Sequence, residues 1–212
     1  LAAALSALAA EGVPAFLLGG GTNLLVADAG IRGAVVDLTG IRGLESGPGT
    51  VSALCGTPMD DAAGFARDRG LSGLEFAASL PGTVGGAVWM NARCYEREVA
   101  DALESVETLD AGLVRRSRPV EPAAWGYKRS PFQASTEVIL RAVFRLSPGD
   151  PRLIDEAMRR HRLDREAKGH FLHPCAGSVF KNDRSFGKPT GRLIDELGLK
   201  GLSIGGAQVA PL

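Results

Sequence analysis

Residues 17–25 read LLGGGTNLL, with three consecutive glycines directly after a short apolar run that predicts a strand. Glycine lets backbone N–H groups in such a turn point at one spot and lets a diphosphate come close to the main chain. Asp37 ends the next predicted strand, where a Rossmann fold often carries its ribose-binding acid. The chain between Asn23 and Gly33 holds turn residues and is too short for a βαβ crossover helix. We therefore predict a glycine loop outside a Rossmann fold, with Asp37 as a strand-end residue.

A second glycine-rich stretch, SLPGTVGGAVWMNA, covers residues 79–92. One such turn is common in ordinary loops. Two of them, one after the first strand and one after a helix, favour a cradle of mononucleotide size. A pair of tight hairpin turns is the alternative.

The charge balance and the distribution of apolar residues argue against nucleic-acid binding and membrane insertion. The 212 residues include 24 Lys+Arg and 24 Asp+Glu, so the net charge is zero and no nucleic-acid partner is expected. No run of about 18 apolar residues occurs, so we predict no membrane insertion.

The chain has three cysteines, Cys55, Cys94 and Cys175. Their odd number and wide spacing are typical of reduced cytosolic thiols. We expect all three to be buried as small hydrophobic residues.

Periodicity and punctuation predict a mixture of strands and helices. The β-type runs are residues 14–18, 34–38, 50–55, 103–109 and 137–146. An Ala-rich helix is expected to open the chain and to end before Gly12.

Two further helices carry start and stop signals. Thr57 is the expected N-cap of one, with Pro58 in its first turn and Gly70 after its end. The second is expected over residues 151–168, with Asp150 as its cap and Gly169 as its stop. Its predicted apolar stripe is Leu153, Ile154, Ala157, Met158 and His161. The Ser, Pro and Gly residues of 146–151 predict a domain boundary.

AGSVFKN, residues 176–182, brings a hydroxyl, an ammonium and an amide into a segment short enough for one strand and its turn. No GxSxG motif surrounds Ser178, so a hydrolase nucleophile is not predicted. Ser178 can donate a proton only where a strong base develops beside it; an ordinary turn serine is the alternative.

His170, His173 and Cys175 form the pattern HxxHxC just before this segment. A structural metal site needs a fourth ligand, and none follows at a usual spacing, so we favour capping or solvent-exposed histidines over a metal site.

Two cationic segments remain open to interpretation. The end of the long predicted helix is rich in arginine, which usually marks a solvated face. Arg165 and Lys168 lie one turn apart there and could grip a diphosphate if they faced inward. GYKRS, residues 126–130, reads as a surface turn before Pro131.

Five motifs taken together resemble the UDP-N-acetylenolpyruvoylglucosamine reductase (MurB) family. They are LLGGGTNLL, LPGTVGGAVWMNA, GYKRSPF, AGSVFKN and TGRLIDELGLKGLSIGGAQV, in the family's order and at about its separations. The resemblance implies an α+β fold with an FAD-binding domain of the vanillyl-alcohol-oxidase (PCMH) type in two lobes, followed by a partial α+β substrate-binding domain. The expected divisions are 1–147, with lobes of about 1–48 and 49–147, and a truncated 148–212.

The resemblance also implies an activity and a setting. NADPH would reduce FAD, which would pass a hydride to the enolpyruvyl group of the UDP-sugar in cytoplasmic peptidoglycan synthesis, with consequences for cell shape and division. The expected partners are the UDP-sugar and NADPH, and the expected state is a monomer. Another FAD-dependent oxidoreductase of this fold, or a non-catalytic nucleotide-binding module, is the alternative.

Residue roles carry over by motif position. The implied catalytic residues are Ser178, as proton donor, with Lys128 or Arg129 as the cation. The implied FAD contacts are Gly19, Gly20, Gly21, Thr22, Asn23, Pro81, Gly82, Val84, Gly85 and Asn91. The implied substrate contacts are Tyr127, Arg165, Lys168, Asn182, Lys200 and Gln208.

Three departures from the family pattern stand out. The usual tyrosine-arginine pair is Tyr127-Lys128 here, with arginine one place later at Arg129. Arg93 and Cys94 stand where the family often has glycine and alanine. Finally, the chain is expected to be truncated at both ends, with a strand missing before its start and the family's catalytic glutamate beyond its end.

Overall fold

The computed structural model describes residues 1–177 and 179–211, and only the backbone of residue 184. In that part of the chain the helices are α1 Ala2–Ala10, α2 Met59–Arg67, α3 Val84–Met90, α4 Pro151–Ala167 and α5 Thr190–Glu196. The strands are β1 Ala15–Leu18, β2 Ala34–Asp37, β3 Leu44–Gly47, β4 Thr50–Leu54, β5 Leu71–Ser72, β6 Arg93–Cys94, β7 Arg97–Glu98, β8 Leu103–Leu109, β9 Arg115–Pro119, β10 Val138–Arg145, β11 Ser147–Pro148, β12 Ser203–Ile204 and β13 Ala207–Gln208.

The chain forms two compact units, Leu1–Leu163 and Asp164–Leu212. The first is built on an antiparallel sheet of strand order β3-β4-β10-β8-β9. Alternate residues of its strands point into one core, where Val51, Val106 and Phe144 are almost completely buried. Helix α3 packs on β4 and β10, so the second glycine-rich stretch rests directly on this sheet.

The first glycine loop connects two parallel strands. Strand β1 pairs with β2 in parallel, with Leu18 opposite Asp37. A parallel pair usually needs a helical crossover, yet residues 19–33 make this connection through turns and irregular chain. The connection contains no helix, as its length and turn residues predict, but the parallel pairing of β1 and β2 was not predicted. Asp37 ends β2 as predicted, and its carboxylate accepts the Thr39 N–H at 2.8 Å.

Helix ends differ from the prediction at one site. The N-cap of α2 is Pro58, and Thr57 makes no capping bond to this helix. Instead the Thr57 hydroxyl bonds to both the N–H and the carbonyl of Gly43, at 3.1 and 3.2 Å. The prediction of Thr57 as the cap is therefore wrong, because a tertiary partner takes its hydroxyl. The Asp150 carboxylate does accept the Arg152 N–H at 2.9 Å, as expected of a cap on α4.

Helix α4 begins in the first unit. Ile154 and Met158 belong to the hydrophobic core, whereas Leu153 is 63% exposed and the predicted stripe is wrong at that position.

Residues 146–151, expected to be a domain boundary, are bonded into the first unit. Strand β11 pairs with β5, and the Gly149 N–H donates to Gly70 O at 2.8 Å. The compact units divide after residue 163. The functional division into two domains stays a prediction.

The second unit contains α5 and the β12–β13 hairpin, and none of its described residues is fully buried. The strand predicted over residues 176–182 does not form among the described residues of that segment. Val179 and Phe180 are 75% and 64% exposed there, so no core supports a pleated strand. Ser178 lies outside the described residues.

The cysteines differ in exposure. Cys55 is buried, Cys94 is half-buried and Cys175 is exposed. The expectation of a buried thiol is therefore confirmed for Cys55, holds only in part for Cys94 and is wrong for Cys175, since the described part of its unit lacks a buried core. Among the described residues no helix combines the length and apolar character of a membrane span.

Candidate functional site

The two glycine loops pack against each other. A Cβ added to Gly20 would lie 3.0 Å from Gly82 Cα, and one added to Gly19 would lie 2.6 Å from Thr83 Oγ1. Gly82 adopts a φ of +101°, and its added Cβ would lie 2.7 Å from Thr22 Oγ1. The Thr22 hydroxyl in turn faces Pro81 O at 3.4 Å. The approach at Gly20 is backbone to backbone, whereas at Gly19 and Gly82 an added Cβ would meet a threonine hydroxyl, and both kinds of contact favour glycine.

The first loop carries a row of available donors. Among the described residues, no hydrogen bond uses the backbone N–H groups of residues 20–23. Gly21 has a φ of +66°, which reverses the chain within this row. Successive N–H groups in such a turn suit the oxygens of a phosphate or diphosphate. The N–H groups of Gly82 and Thr83, across from this row, also lack an acceptor in the described part of the chain.

Other amides of the second loop are already bonded. Val84 N–H donates to Thr57 O and Gly85 N–H donates to Cys55 O, both at 2.8 Å. An added Cβ at Gly85 would lie 2.9 Å from Cys55 Cβ, so this glycine is required by packing on β4. Val84 and Gly85 are predicted cofactor contacts. Their N–H groups are occupied by the protein, so any such contact would have to use other atoms.

An acidic side chain holds the start of the second loop. Ser79 has a φ of +60°, uncommon for a residue with a side chain. Its N–H donates to the Asp60 carboxylate of α2 at 2.7 Å. Asp60 thus stabilises a strained residue that leads into Pro81 and Gly82. Nothing in the sequence around Asp60 marks this partner, which lies 19 positions away.

GYKRS is a two-residue turn, as its composition predicts. Gly126 and Arg129 exchange backbone hydrogen bonds at 2.9 and 3.1 Å, which leaves Tyr127 and Lys128 at the tip. Lys128 adopts a φ of +55°. Tyr127 is 42% exposed, and the Arg93 guanidinium lies 6.0 Å from its ring centre. The two candidate cations, Lys128 and Arg129, therefore occupy neighbouring positions on one tight turn.

Helix α3 links this turn to the glycine loops. Thr83 at its N-terminus caps the helix by accepting the Gly86 N–H at 3.4 Å. Asn91 ends it with a φ of 43° and is 0% exposed. The Asn91 side chain donates to Gly126 O at 2.9 Å and accepts the Ala100 N–H at 3.0 Å. Asn91, predicted as a cofactor contact, thus uses its amide oxygen and nitrogen to hold the turn. Seven residues of helix span about 10 Å between loop and turn.

The second unit carries all the predicted substrate contacts except Tyr127, and each is held by a local partner. Lys168 Nζ pairs with Asp164 at 2.7 Å, and the Arg165 guanidinium lies 5.9 Å from the Phe171 ring centre. Three further contacts are Asn182 Oδ1 to Thr190 N at 2.9 Å, Lys200 Nζ to Asp195 at 3.1 Å, and Gln208 Nε2 to Gly201 O at 3.2 Å. The β12–β13 hairpin brings Gln208 back beside the segment of Lys200. The roles of these residues stay predictions.

Two titratable side chains near these segments have shifted pKa values. Burial raises the pKa of the Cys55 thiol, which lies behind Gly85, so the thiol stays protonated. Burial, followed by the positive charges of Arg165 and Lys168, lowers the pKa of His170. Among the described residues, no group of three His, Cys, Asp or Glu side chains is placed to hold a metal ion.

Comparison with known proteins places this geometry in a family. A model of an FAD binding domain matches residues 1–112, and a model of the UDP-N-acetylenolpyruvoylglucosamine reductase C-terminal domain matches residues 169–212. The UDP-N-acetylenolpyruvoylglucosamine reductase of Treponema denticola is 43% identical, over 98% of this chain and 70% of that protein. The chain belongs to the UDP-N-acetylenolpyruvoylglucosamine reductase family. The Treponema pallidum member is 39% identical, over 94% of this chain and 69% of its own length.

A solved structure supports the same assignment. The crystal structure of the reductase (MurB) from Thermus caldophilus matches with a TM-score of 0.75 and 32% identity, over 97% of this chain and 74% of that one. The predicted fold class, an FAD-binding domain followed by a C-terminal domain, is confirmed. The prediction of a flavoprotein oxidoreductase of the peptidoglycan pathway is confirmed at the level of the family.

Proposed function

We propose that this chain holds FAD at its two glycine loops, takes reducing equivalents from NADPH and reduces UDP-N-acetylenolpyruvoylglucosamine to UDP-N-acetylmuramate. The observation that carries the proposal is the contact between the loops, with Gly20 and Gly82 too close for side chains. The unused N–H groups of residues 20–23 supply donors where a diphosphate needs them.

The residues of the two loops divide the work of holding the cofactor. Bound FAD supplies the carrier that passes a hydride from NADPH to the substrate. Residues 19–23 and Gly82 offer main-chain contacts to its diphosphate. Pro81, Val84 and Gly85 shape the second loop, and Asn91 anchors the turn behind it. This assignment gives every predicted cofactor contact a role that its hydrogen bonds allow.

A fixed cation is needed on the substrate side. Hydride addition to the enolpyruvyl double bond leaves negative charge on the carbon next to the substrate carboxylate. Lys128 is our candidate for stabilising that charge, and Arg129 is the alternative on the same turn. An ammonium is a point charge without the bidentate fork of a guanidinium, so it can approach a single carboxylate oxygen. Ser178 would then donate its hydroxyl proton to the carbon, which is far more basic than an alkoxide.

The remaining predicted residues would bind the UDP-sugar. Arg165 and Lys168 are suited to its diphosphate, since both are cationic and lie one helical turn apart. The polar side chains assigned to the rest of the substrate are Tyr127, Asn182, Lys200 and Gln208. We further propose a cytoplasmic monomer whose product supports the cell wall, and thereby cell shape and division.

The proposal is tested by separating the two half-reactions anaerobically in the FAD-loaded protein. NADPH should bleach the flavin absorbance, and the UDP-enolpyruvyl sugar should restore it. Ser178→Ala should leave bleaching unchanged and slow the return about 10²–10⁴-fold, as expected for loss of a proton donor. Ser117→Ala in the exposed strand β9 is the matched control and should match the wild type in both steps.

Two results would count against this function. Flavin that is bleached by NADPH but returns only with oxygen would indicate a different oxidoreductase of the same fold. A protein that retains no flavin after loading with excess FAD would point to a non-catalytic module. If Ser178→Ala behaves like the wild type in both steps, the proton-donor role is wrong and the reductase activity stands.

A further inference from the structure

The turn that carries Lys128 is bonded to the C-terminal end of α3 by side chains that no predicted role includes. The Trp89 carbonyl accepts the Ser130 hydroxyl at 2.6 Å and the Gln133 amide at 3.1 Å. Gln133 Nε2 also donates to the Lys128 carbonyl at 3.1 Å. One amide group therefore joins the backbone of Lys128 to α3.

The backbone of Lys128 requires such support. A φ of 55° is unfavourable for a residue with a long side chain, and such conformations persist where the surroundings impose them. Among the described residues, Gln133 is the donor that reaches the Lys128 carbonyl. Without a donor on that carbonyl, the left-handed backbone of Lys128 could relax to a negative φ, and rotation about φ would redirect its Cα–Cβ bond and move the ammonium.

Gln133 is suited chemically to this task. A primary amide has two N–H donors, so one nitrogen can serve two carbonyl oxygens at the same time. Trp89 O is a C-terminal helix carbonyl without an intrahelical partner, and Gln133 and Ser130 satisfy it. Arg129 N–H donates to Gly126 O and closes the turn, which limits the freedom left to Lys128.

We propose that Gln133 is a positioning residue that fixes the direction of the Lys128 ammonium toward the substrate carboxylate. The inference rests on the proposed function, in which Lys128 is the stabilising cation. Gln133 touches neither substrate nor cofactor in this role; it acts through the main chain of Lys128. Loss of its donors should therefore impair the substrate half-reaction and spare the flavin half-reaction.

The test is a double-mutant cycle on FAD-loaded enzyme. Gln133→Met keeps the length of the side chain and removes both donors, and should slow flavin reoxidation by the UDP-enolpyruvyl sugar about tenfold. Lys128→Asn removes the ammonium with a residue type that tolerates the left-handed backbone, and should slow that step about a hundredfold. The double variant should be no slower than Lys128→Asn alone, because Gln133 acts only through Lys128.

Two further measurements separate positioning from general damage. The FAD dissociation constant and the rate of bleaching by NADPH should be the same in Gln133→Met and wild type. Ser135→Ala is the control: Ser135 is adjacent to the network, and within the described part of the chain its hydroxyl bonds to the Glu137 N–H alone, so reoxidation should be unchanged. Calorimetric titration with the substrate should show weaker binding in Gln133→Met and not in Ser135→Ala.

The outcomes are distinct. Multiplicative slowing in the double variant, or equal slowing of both half-reactions in Gln133→Met, would overturn the positioning role. A slow Lys128→Asn with a normal Gln133→Met would overturn the inference alone. An unimpaired Lys128→Asn would overturn both the inference and the choice of Lys128 as the cation, and Lys128→Arg would then be compared with Arg129→Ala to test the neighbouring position.

Discussion

The two compact units hold their candidate site residues in different ways. In the first unit the relevant polar residues are buried among backbone partners, with Asn91 at 0%, Ser130 at 3% and Thr83 at 5% exposure. In the second unit Lys168, Asn182, Lys200 and Gln208 are exposed and rely on single local contacts. Exposed pairs of this kind contribute about 0–1 kcal/mol each, whereas buried, fully bonded polar groups fix a conformation.

The difference indicates that the proposed cofactor cradle, formed by the two glycine loops, is built into the fold of the first unit. A side chain at Gly20 would meet the backbone of Gly82 and could be accommodated only if that backbone moved. The second unit presents its polar side chains from turns and a short hairpin. We therefore expect substitutions in the two glycine loops of the first unit to alter cofactor affinity, and substitutions of the polar residues of the second unit to alter substrate binding while sparing cofactor affinity.

The largest contrast should appear in thiol reactivity. Cys55 in the first unit is 1% exposed and burial raises its pKa, while Cys175 in the second unit is exposed. Iodoacetamide should label Cys175 at least about a thousandfold faster, since Cys55 requires an opening of the core. Mass spectrometry of peptides taken over time measures both rates. Similar rates in the native protein would contradict the buried position of Cys55; equal rates in denaturant are the control.

A glycine substitution in each unit sharpens the comparison. Gly82→Ala introduces a Cβ 2.7 Å from Thr22 Oγ1 at a φ of +101° and should weaken FAD binding about 10–100-fold. Gly201→Ala in the second unit has a φ of +81° but open space around its Cβ, and should leave FAD affinity unchanged. Fluorescence titration with FAD measures both constants.

The control for these substitutions is Gly64→Ala. Gly64 lies inside α2 with nothing within 4 Å of an added Cβ, so alanine should stabilise the helix by up to about 1 kcal/mol and leave FAD binding intact. If Gly82→Ala binds FAD as tightly as Gly64→Ala does, the close packing of the loops has no bearing on the cofactor.

The smallest effect concerns a carboxylate in each unit. The Arg118 guanidinium beside Glu137 holds the pKa of that carboxyl below its usual value. Because the folded pKa is below the unfolded one, the pair stabilises the fold above the unfolded pKa of about 4.3 and loses this effect as the pH falls through the folded value. Glu137→Gln should cost about 0.5–1 kcal/mol at neutral pH and nothing in strong acid, as measured by urea unfolding.

The counterpart in the second unit is Glu196, which pairs with Lys188 and Arg192 and is 40% exposed. Glu196→Gln should change the free energy of unfolding by at most a few tenths of a kcal/mol at any pH. A loss for Glu196→Gln as large as that for Glu137→Gln would remove the contrast between the units.

Much of the first unit could be predicted from the sequence because its signals are local. Alternating apolar residues located β8 over its full length, and the glycines located both loops. Contacts distant in sequence were missed. The Thr57 hydroxyl bonds to Gly43 where a helix cap was expected, and Asn91 holds Gly126, 35 positions away. Asn is favoured at the left-handed position that ends a helix, so the sequence contained a local signal for the structural role of Asn91. It contained no comparable signal for Gln133.

The second unit was less predictable. Residues 176–182 have the composition of a strand, yet a strand also requires a partner and a face to bury, and neither is visible in seven residues. Val179 and Phe180 are consequently exposed in irregular chain. The motif still identified the family, because motif recognition depends on residue types and spacing and not on the secondary structure that carries them.

Amide hydrogen exchange followed residue by residue by NMR, with and without FAD, tests the central claim most directly. The N–H groups of residues 20–23, with those of Gly82 and Thr83, should exchange fast without FAD and at least about tenfold more slowly with it. Val84 and Gly85, already bonded to Thr57 and Cys55, should be slow in both states. Unchanged exchange at residues 20–23 in FAD-saturated protein would contradict a diphosphate bound by these loops.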